Sequence, residues 1–244
     1  MGKRSDYAES FSVAQFILQF GLISAVFWLW QSHWIQPVKL MVVLFHEMSH
    51  GLMALLSGGR IINVVITADE GGWCETDGGN TLLIVSAGYL GSMLTGGLLL
   101  YLSRFRARVA GVYVLLTVTL AAAIFTVLHD PYSRKFATGL ASAFIVVGCL
   151  TPALLGALLL RLLGTVSCLY SLFDIYSDIL ATGKSVAVGE NDAVAISHIT
   201  GMSPHAIGLV WLGISAAYFL LVLKISLTAQ PAAPGKRAEA VAST

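Results

Sequence analysis

The composition of this 244-residue chain is that of a protein embedded in a lipid bilayer. Hydrophobic residues make up 57% of the chain and charged residues 11%, whereas about a quarter of the residues in a typical soluble domain are charged. The formal net charge of +1 argues against nucleic acid or an acidic polymer as a partner. The cysteines Cys74, Cys149 and Cys168 form no C-x-x-C pair, so they predict neither a disulfide framework nor a thiolate zinc site. We therefore expect an all-α, multi-pass integral membrane protein.

The chain begins with a short polar tail, residues 1–10, and a first apolar segment from about Phe11 to Trp30. That segment is long enough to span a bilayer, and no small-residue cleavage site follows it, so we expect a retained helix and not a signal peptide. The second apolar segment runs from Pro37 to Gly59. Proline at the start and glycine at the end are typical boundaries of a helix.

The second segment carries three ionisable residues, His46, Glu47 and His50, in the sequence HEMSH. A charged side chain at the centre of a membrane helix costs roughly 2.5 to 3.5 kcal/mol on insertion scales, so such residues need a functional reason. Residues four apart share one face of a helix, and His46 and His50 can therefore bind one metal ion. Glu47 is then placed to act as general base toward a metal-bound water. The alternative is that the three side chains only hydrogen-bond to one another between packed helices.

Residues 60–80 form a polar insert directly after this helix. The β-branched run Val64–Ile66 and the turn clusters at residues 69–72 and 77–79 predict a β-hairpin. A sheet edge beside the metal-binding helix could bind an extended peptide by adding a strand. An ordinary acidic loop is the alternative.

A third apolar segment, Thr81 to Ser103, contains small residues spaced four apart. Such spacing lets helix backbones approach closely in lipid, and we expect this segment to pack on the HEMSH helix with its glycines in a structural role. A fourth segment covers about residues 109–128. Residues 137–173, interrupted by Pro152, form either two spans or one span and a re-entrant piece.

The last apolar segment is Ile207 to Leu223. The fold we expect is therefore a single transmembrane domain, residues 11–225, with six or seven helices and the hairpin insert. Residues 226–244, rich in alanine and proline at their end, are expected to be a disordered tail.

A second group of acidic residues, Asp174 and Asp178, lies at the end of the apolar stretch before residue 180. They are four apart and so share one helical face. A catalytic zinc ion usually has three protein ligands, and two histidines leave one position that a carboxylate can fill. Either aspartate could be that ligand, and capping of the helix end is the alternative role.

Several of these motifs together resemble the M50 family of membrane metallopeptidases, the site-2 protease class, and its M50B-like branch in particular. They are HEMSHGLMALLSGG, the hairpin with its Gly-Gly-Trp, AGYLGS at residues 87–92 and FDIYSD. The resemblance implies that His46 and His50 bind Zn²⁺, that Glu47 is catalytic, and that an aspartate of a later helix is the third ligand. Asp174 matches that position, with Asp178 as the alternative. The chain departs from the family pattern because Phe-Asp-Ile replaces Leu-Asp-Gly and no Asn-Pro-x-Pro precedes it.

The resulting hypothesis is an intramembrane zinc metalloprotease that hydrolyses peptide bonds in or near transmembrane segments. Its partners would be a membrane-protein or peptide substrate and the lipid bilayer. One rival is a non-proteolytic M50-like scaffold or binding protein that keeps the metal site. A transporter is the other rival, because ionisable residues inside the membrane also mark ion pathways.

The charges flanking the apolar segments give conflicting evidence on orientation. Lys3 and Arg4 favour a cytoplasmic N-terminus. If every apolar segment crosses the bilayer, the basic cluster Arg104, Arg106 and Arg108 then lies on the opposite side, against the positive-inside tendency.

Overall fold

A computed structural model gives the structure of the chain and describes residues 12–181 and 191–228. The predicted tail at residues 1–10 lies outside these residues, as does the predicted tail at 226–244 except for residues 226–228, of which the first two end the last helix. Eight α-helices and one β-hairpin follow one another along the described chain: α1 (Val13–Leu29), α2 (Gln36–Leu56), β1 (Arg60–Ile66), β2 (Gly72–Asp77), α3 (Thr81–Leu102), α4 (Val109–Thr126), α5 (Pro131–Leu150), α6 (Ala153–Ile175), α7 (Asp192–Thr200) and α8 (Pro204–Leu227).

Six of these helices, α2 to α6 and α8, are long and apolar enough to cross a membrane, and α1 is a shorter apolar helix of 17 residues. The prediction of an all-α polytopic fold with a small hairpin after the HEMSH helix is confirmed. The protein is therefore an integral, multi-pass membrane protein. Because α5 ends at Leu150 and α6 begins at Ala153, residues 137–173 form parts of two helices separated at Pro152, whose ring cannot continue a helix.

Local sequence defines several helix starts. The side chains of Asn80 and Asp130 accept hydrogen bonds from the backbone N–H groups three residues later, at 3.2 and 2.8 Å. These are N-caps, which satisfy donors that a helix leaves without an intrahelical partner. Proline occupies the first turn of α2, α5 and α8, where its missing N–H is harmless.

Helix α3 lies at the centre of the bundle between α2 and α6. A Cβ atom added to Gly96 would lie 2.7 Å from Ser167 Cβ, and one added to Gly164 would lie 2.6 Å from the Gly96 carbonyl oxygen. On the other face of α3, a Cβ on Gly91 would lie 2.4 Å from Ser49 Cβ in α2. The small residues therefore allow α3 to contact both neighbours at backbone distance.

The hairpin pairs β1 and β2 in antiparallel register, with Val64 opposite Cys74. The outer edge of β1 is occupied, because Val64 N–H donates to the Val127 carbonyl at 2.9 Å and Ile66 N–H donates to Ser133 Oγ at 2.9 Å. The residues that follow α4 and begin α5 therefore hold this strand in place.

The tip of the hairpin is attached to the first turn of α2. Gln36 Nε2 donates to the Ala68 carbonyl at 2.9 Å, and Lys39 Nζ lies 3.3 Å from Glu70 Oε1. The hairpin thus lies along α2, the helix that carries the HEMSH sequence.

The start of α1 and the ends of α3 and α8 lie together at one end of the bundle. Ser12 N–H donates to the Leu227 carbonyl at 2.9 Å, and the Arg104 guanidinium donates to Thr228 Oγ1 at 3.0 Å. Three successive crossings would separate the start of α1 from the end of α3, so α1, α2 and α3 do not all cross the bilayer, in agreement with six candidate spans of the six or seven predicted. The conflict between the N-terminal charges and the Arg104 cluster arises only if all three cross.

Candidate metal centre

The two histidines of α2 lie one helical turn apart and point to one place in the bundle. Their ring centroids are 4.8 Å apart. His50 is 7% exposed, and its Nδ1 lies 2.7 Å from the Ile84 carbonyl oxygen of α3. A carbonyl can only accept, so Nδ1 carries the proton and Nε2 presents a lone pair, as in many metal-ligating histidines.

The partner of both histidines is Asp192, the first residue of α7. Its Oδ2 lies 3.1 Å from His46 Nε2 and 3.3 Å from His50 Nε2. The preceding residue, Asn191, caps α7 by accepting a hydrogen bond from Val194 N–H at 3.0 Å, which fixes the turn that presents the carboxylate. Burial raises the pKa of Asp192, but the adjacent imidazoles lower it more, so its pKa is well below the usual range.

Helix α7 is held near the histidines by apolar packing. Ala193 and Ile196 are buried in one cluster with Tyr89 of α3 and Trp211 of α8. The Tyr89 ring also packs edge-on against His46, with centroids 4.8 Å apart. One face of α7 thus anchors the helix while its first residue faces the two histidines.

A glycine of α3 leaves room for an ion between the ligand atoms. A Cβ added to Gly88 would lie 2.4 Å from His46 Nε2 and 2.5 Å from His50 Nε2. These distances are close to the roughly 2.0 to 2.1 Å of a zinc–nitrogen bond. The missing side chain therefore leaves open the space that a coordinated ion needs. Gly88 thus has a position beside the candidate ligands in addition to the structural role expected for the glycines of α3.

The donor atoms also have the chemistry of a metal site. Asp192 Oδ2 is buried and lies 3.1 and 3.3 Å from the two ring nitrogens, yet no donor among the described residues reaches it with hydrogen-bond geometry. A carboxylate oxygen and two imidazole nitrogens within 4.8 Å of one another form a donor set that suits Zn²⁺. The residues fit a divalent ion.

Glu47 lies beside this group, between α2 and the hairpin. It is 6% exposed, and a Cβ added to Gly72 would lie 2.8 Å from its Oε1. All four side chains line a cavity of about 640 Å³. Strand β2 forms one wall of the cavity through Gly72, Trp73, Cys74 and Thr76.

Comparison with protein families agrees with this arrangement. The family model described as Peptidase M50B-like matches residues 20–222. The chain belongs to this family. No curated protein and no solved structure shows significant similarity to the chain. Membership in the Peptidase M50B-like family makes the protein a membrane metallopeptidase in general terms, and the matched region contains both the HEMSH sequence and Asp192.

The two aspartates predicted as alternative third ligands lie at the end of α6. Asp174 lines the same cavity, and its charge acts on His46. It is not part of the group whose ligand atoms lie within 4.8 Å, which consists of His46, His50 and Asp192 among the described residues. Asp178 lies in the π-helical turn Tyr176–Ala181, and its side chain is outside what the structure describes. The assignment of Asp174 or Asp178 stays a prediction, and the geometry brings forward Asp192 as a third candidate.

Sequence reasoning missed Asp192 for an identifiable reason. Residues 192–198 read as a short helical patch in a polar loop, and an Asn-Asp pair at a helix start is a common capping sequence. The useful signal was that Ala193 and Ile196 give this patch an apolar face, which predicts docking onto the bundle and not solvent exposure.

Proposed function

We propose that the protein is an intramembrane zinc metalloprotease that cleaves peptide bonds in or beside transmembrane segments of membrane proteins. The observation that carries the proposal is that donor atoms of His46, His50 and Asp192 lie within 4.8 Å of one another, with the two histidine nitrogens beside the space left by Gly88. Glu47 beside them supplies the base that hydrolysis requires. We propose Asp192 as the third ligand, with Asp174 as the second candidate.

Each residue at the site has a separate role in the proposed reaction. A zinc ion held by the three ligands would acidify water and polarise the scissile carbonyl. The Glu47 carboxylate accepts the proton of the attacking water and returns it to the leaving amine. The Ile84 carbonyl keeps His50 in the tautomer that presents Nε2, so the ligand needs no rearrangement before it binds.

Strand β2 offers a way to hold a substrate in the cavity. The outer edge of β1 is occupied by Val127 and Ser133, whereas none of the described residues makes a backbone hydrogen bond to the outer edge of β2. An extended peptide that added to β2 would pass Glu47, because Gly72 at the start of that strand contacts it. The substrate class we propose is therefore a locally unwound segment of a membrane protein.

The variant Glu47→Gln tests this function. We expect it to keep about one zinc ion per chain and to lose about 10²- to 10⁴-fold in cleavage rate, the usual contribution of a general base. The measurements are metal analysis and cleavage of reconstituted membrane-protein substrates.

A scaffold that retains the metal site is the second candidate, because the chain lacks the Asn-Pro-x-Pro sequence expected from the resemblance. It predicts equal zinc content in both forms and no cleavage by either. Cleavage that continues unchanged in Glu47→Gln would contradict the proposed mechanism.

A further inference from the structure

Strand β2 carries two exposed side chains, Trp73 and Glu75, that the proposed chemistry does not use. Side chains alternate between the two faces of a strand. Gly72 faces α2, because a Cβ there would lie 2.8 Å from Glu47 Oε1. Trp73, which is 54% exposed, and Glu75 lie one and three residues further along the strand. They therefore share the opposite face of β2.

The backbone of β2 shows which of its residues a bound segment would pair with. The N–H groups of Val64 and Ile66 in β1 both donate to groups outside the hairpin. Residues opposite each other in an antiparallel pair turn their N–H and C=O groups the same way, either toward each other or outward. Val64 lies opposite Cys74 and Ile66 opposite Gly72. The outward backbone groups of β2 are therefore those of Gly72 and Cys74.

An extended segment that pairs with Gly72 and Cys74 brings its own side chains beside Trp73 and Glu75. Side chains directly opposite each other on neighbouring strands have Cβ atoms about 4.5 to 5.5 Å apart. Glu75 lies three residues, or about 10 Å, along the strand from Gly72, the residue that contacts Glu47. The side chain that meets Glu75 therefore lies about three residues from the peptide bond beside Glu47.

The charges around this edge favour a cation at that position. Among the described residues, no Lys or Arg lines the cavity, and four acidic residues do: Glu47, Glu70, Asp174 and Asp192. Arg60 is paired with Asp77 at 2.6 Å, and Lys39 with Glu70 at 3.3 Å. No ion pair within the described part of the chain involves Glu75. A basic side chain in a bound segment would thus meet an acidic surface.

This arrangement specifies the substrate of the proposed function, on which the inference rests. A Lys or Arg opposite Glu75 would form a cross-strand pair of opposite charge, and the Trp73 ring on the same face attracts cations. Lys and Arg are common beside the cytoplasmic ends of transmembrane segments, so membrane proteins offer such residues next to apolar stretches. We propose that Glu75, together with Trp73, selects segments that carry Lys or Arg about three residues from the cleaved bond.

Cleavage of a single-span membrane protein with one varied flanking residue tests this preference. Full-length enzyme is reconstituted with substrates that carry Lys, Gln or Glu singly at each of about five positions on either side of the cleaved bond, and kcat/KM is measured. We expect Lys to exceed Gln about two- to fivefold, as a cross-strand ion pair implies, at one position about three residues from the bond. Equal values for Lys and Gln at every position would overturn the proposal, and so would an equal gain at all positions.

The decisive variant is Glu75→Lys, because it should reverse the preference. We expect it to cleave the substrate with Glu at the selected position faster than the one with Lys. Glu75→Gln should bring the ratio of Lys to Gln to about one, and a ratio that stays at the wild-type value would contradict the role of Glu75. Asp69→Asn is the matched control, since it removes an exposed acid from the turn before β2 and should keep the wild-type ratio.

A binding measurement separates failure of this inference from failure of the proposed function. Glu47→Gln protein in detergent is titrated with fluorescent Thr-Val peptides of about ten residues that carry one central Lys, Gln or Glu. We expect the Lys peptide to bind about two- to fivefold more tightly than the Gln peptide, and equal Kd values would refute the selection of cations. Cleavage without a Lys preference would overturn this inference alone. A Lys preference in binding, with no cleavage of any substrate by wild type, would overturn the protease function and support the inference.

Discussion

The candidate metal centre and the surroundings of Arg161 in α6 are two buried polar regions of different character. Helix α6 carries a residue near each of them, Asp174 in the cavity beside the histidines and Arg161 at the other. At the candidate metal centre two imidazoles face the Asp192 carboxylate, so neutral nitrogen donors and a negative group lie within one cluster. Around Arg161 the hydrogen-bond acceptors among the described residues are neutral, and Arg104 acts on it as a like charge.

This difference indicates which region can bind a cation. A cluster with acceptor atoms and a carboxylate can exchange its internal contacts for a cation without leaving a buried charge unpaired. Arg161 has hydrogen-bond acceptors but no carboxylate among the described residues that contact it. The following changes test that contrast, from the largest expected effect to the smallest.

Gly88→Ala should have the largest effect on the metal centre. Its methyl group would lie 2.4 and 2.5 Å from the two ligand nitrogens, in the space that an ion requires. We expect zinc affinity to fall by at least about 100-fold, the upper range seen when the surroundings of a metal ligand are disturbed. Zinc titration against a competing chelator measures the change.

Gly213→Ala in α8 is the control for Gly88→Ala, because a Cβ there has no neighbour within 4 Å. It should bind zinc as wild type does. Unchanged affinity in Gly88→Ala would mean that the ion does not lie between His46 and His50.

Gly72→Ala should impair cleavage and leave the metal in place. The added methyl group would lie 2.8 Å from Glu47 Oε1 and 3.0 Å from the Val65 carbonyl oxygen, so either the base or the strand must move. Displacement of a catalytic group by about 1 Å costs on the order of 10²-fold in rate. We expect such a loss of activity with zinc content unchanged. If Gly72→Ala is as active as wild type, the hairpin does not determine the position of the Glu47 carboxylate.

Arg161→Met should reduce stability without affecting the metal centre. The change leaves the buried Gln19 amide oxygen without its donor, which costs about 1 to 3 kcal/mol. We expect a lower midpoint of thermal unfolding and normal zinc content. Arg161→Lys restores a positively charged donor and should recover part of the lost stability. If Arg161→Met is as stable as wild type, the hydrogen bonds to Gln15 and Gln19 do not contribute to stability.

Local pattern in the sequence was enough to bring forward two side chains of the candidate metal centre. His46 and His50 share a helical face by spacing alone, and the β-branched run before two glycine clusters predicted the hairpin beside them. The break at Pro152 likewise follows from the chemistry of one residue. In each case the determining contacts lie within a few residues along the chain.

The rest of the site depends on how distant segments pack. Asp192 reaches the histidines because α7 docks against Tyr89 and Trp211, and no local pattern encodes that register. Gly88 resembles the other small residues of α3, and only the alignment of α3 with α2 places it opposite the ligands. Hydropathy also identifies an apolar helix but does not show whether that helix crosses the bilayer. For this reason the sequence did not predict that the start of α1 and the end of α3 lie at the same end of the bundle.

The identity of the third ligand is the most direct test of the account. Zinc content per chain should be measured on purified Asp192→Asn and Asp174→Asn proteins, with wild type alongside. The account predicts that Asp192→Asn loses most of its zinc while Asp174→Asn keeps about one ion. Full zinc in Asp192→Asn together with loss in Asp174→Asn would contradict it.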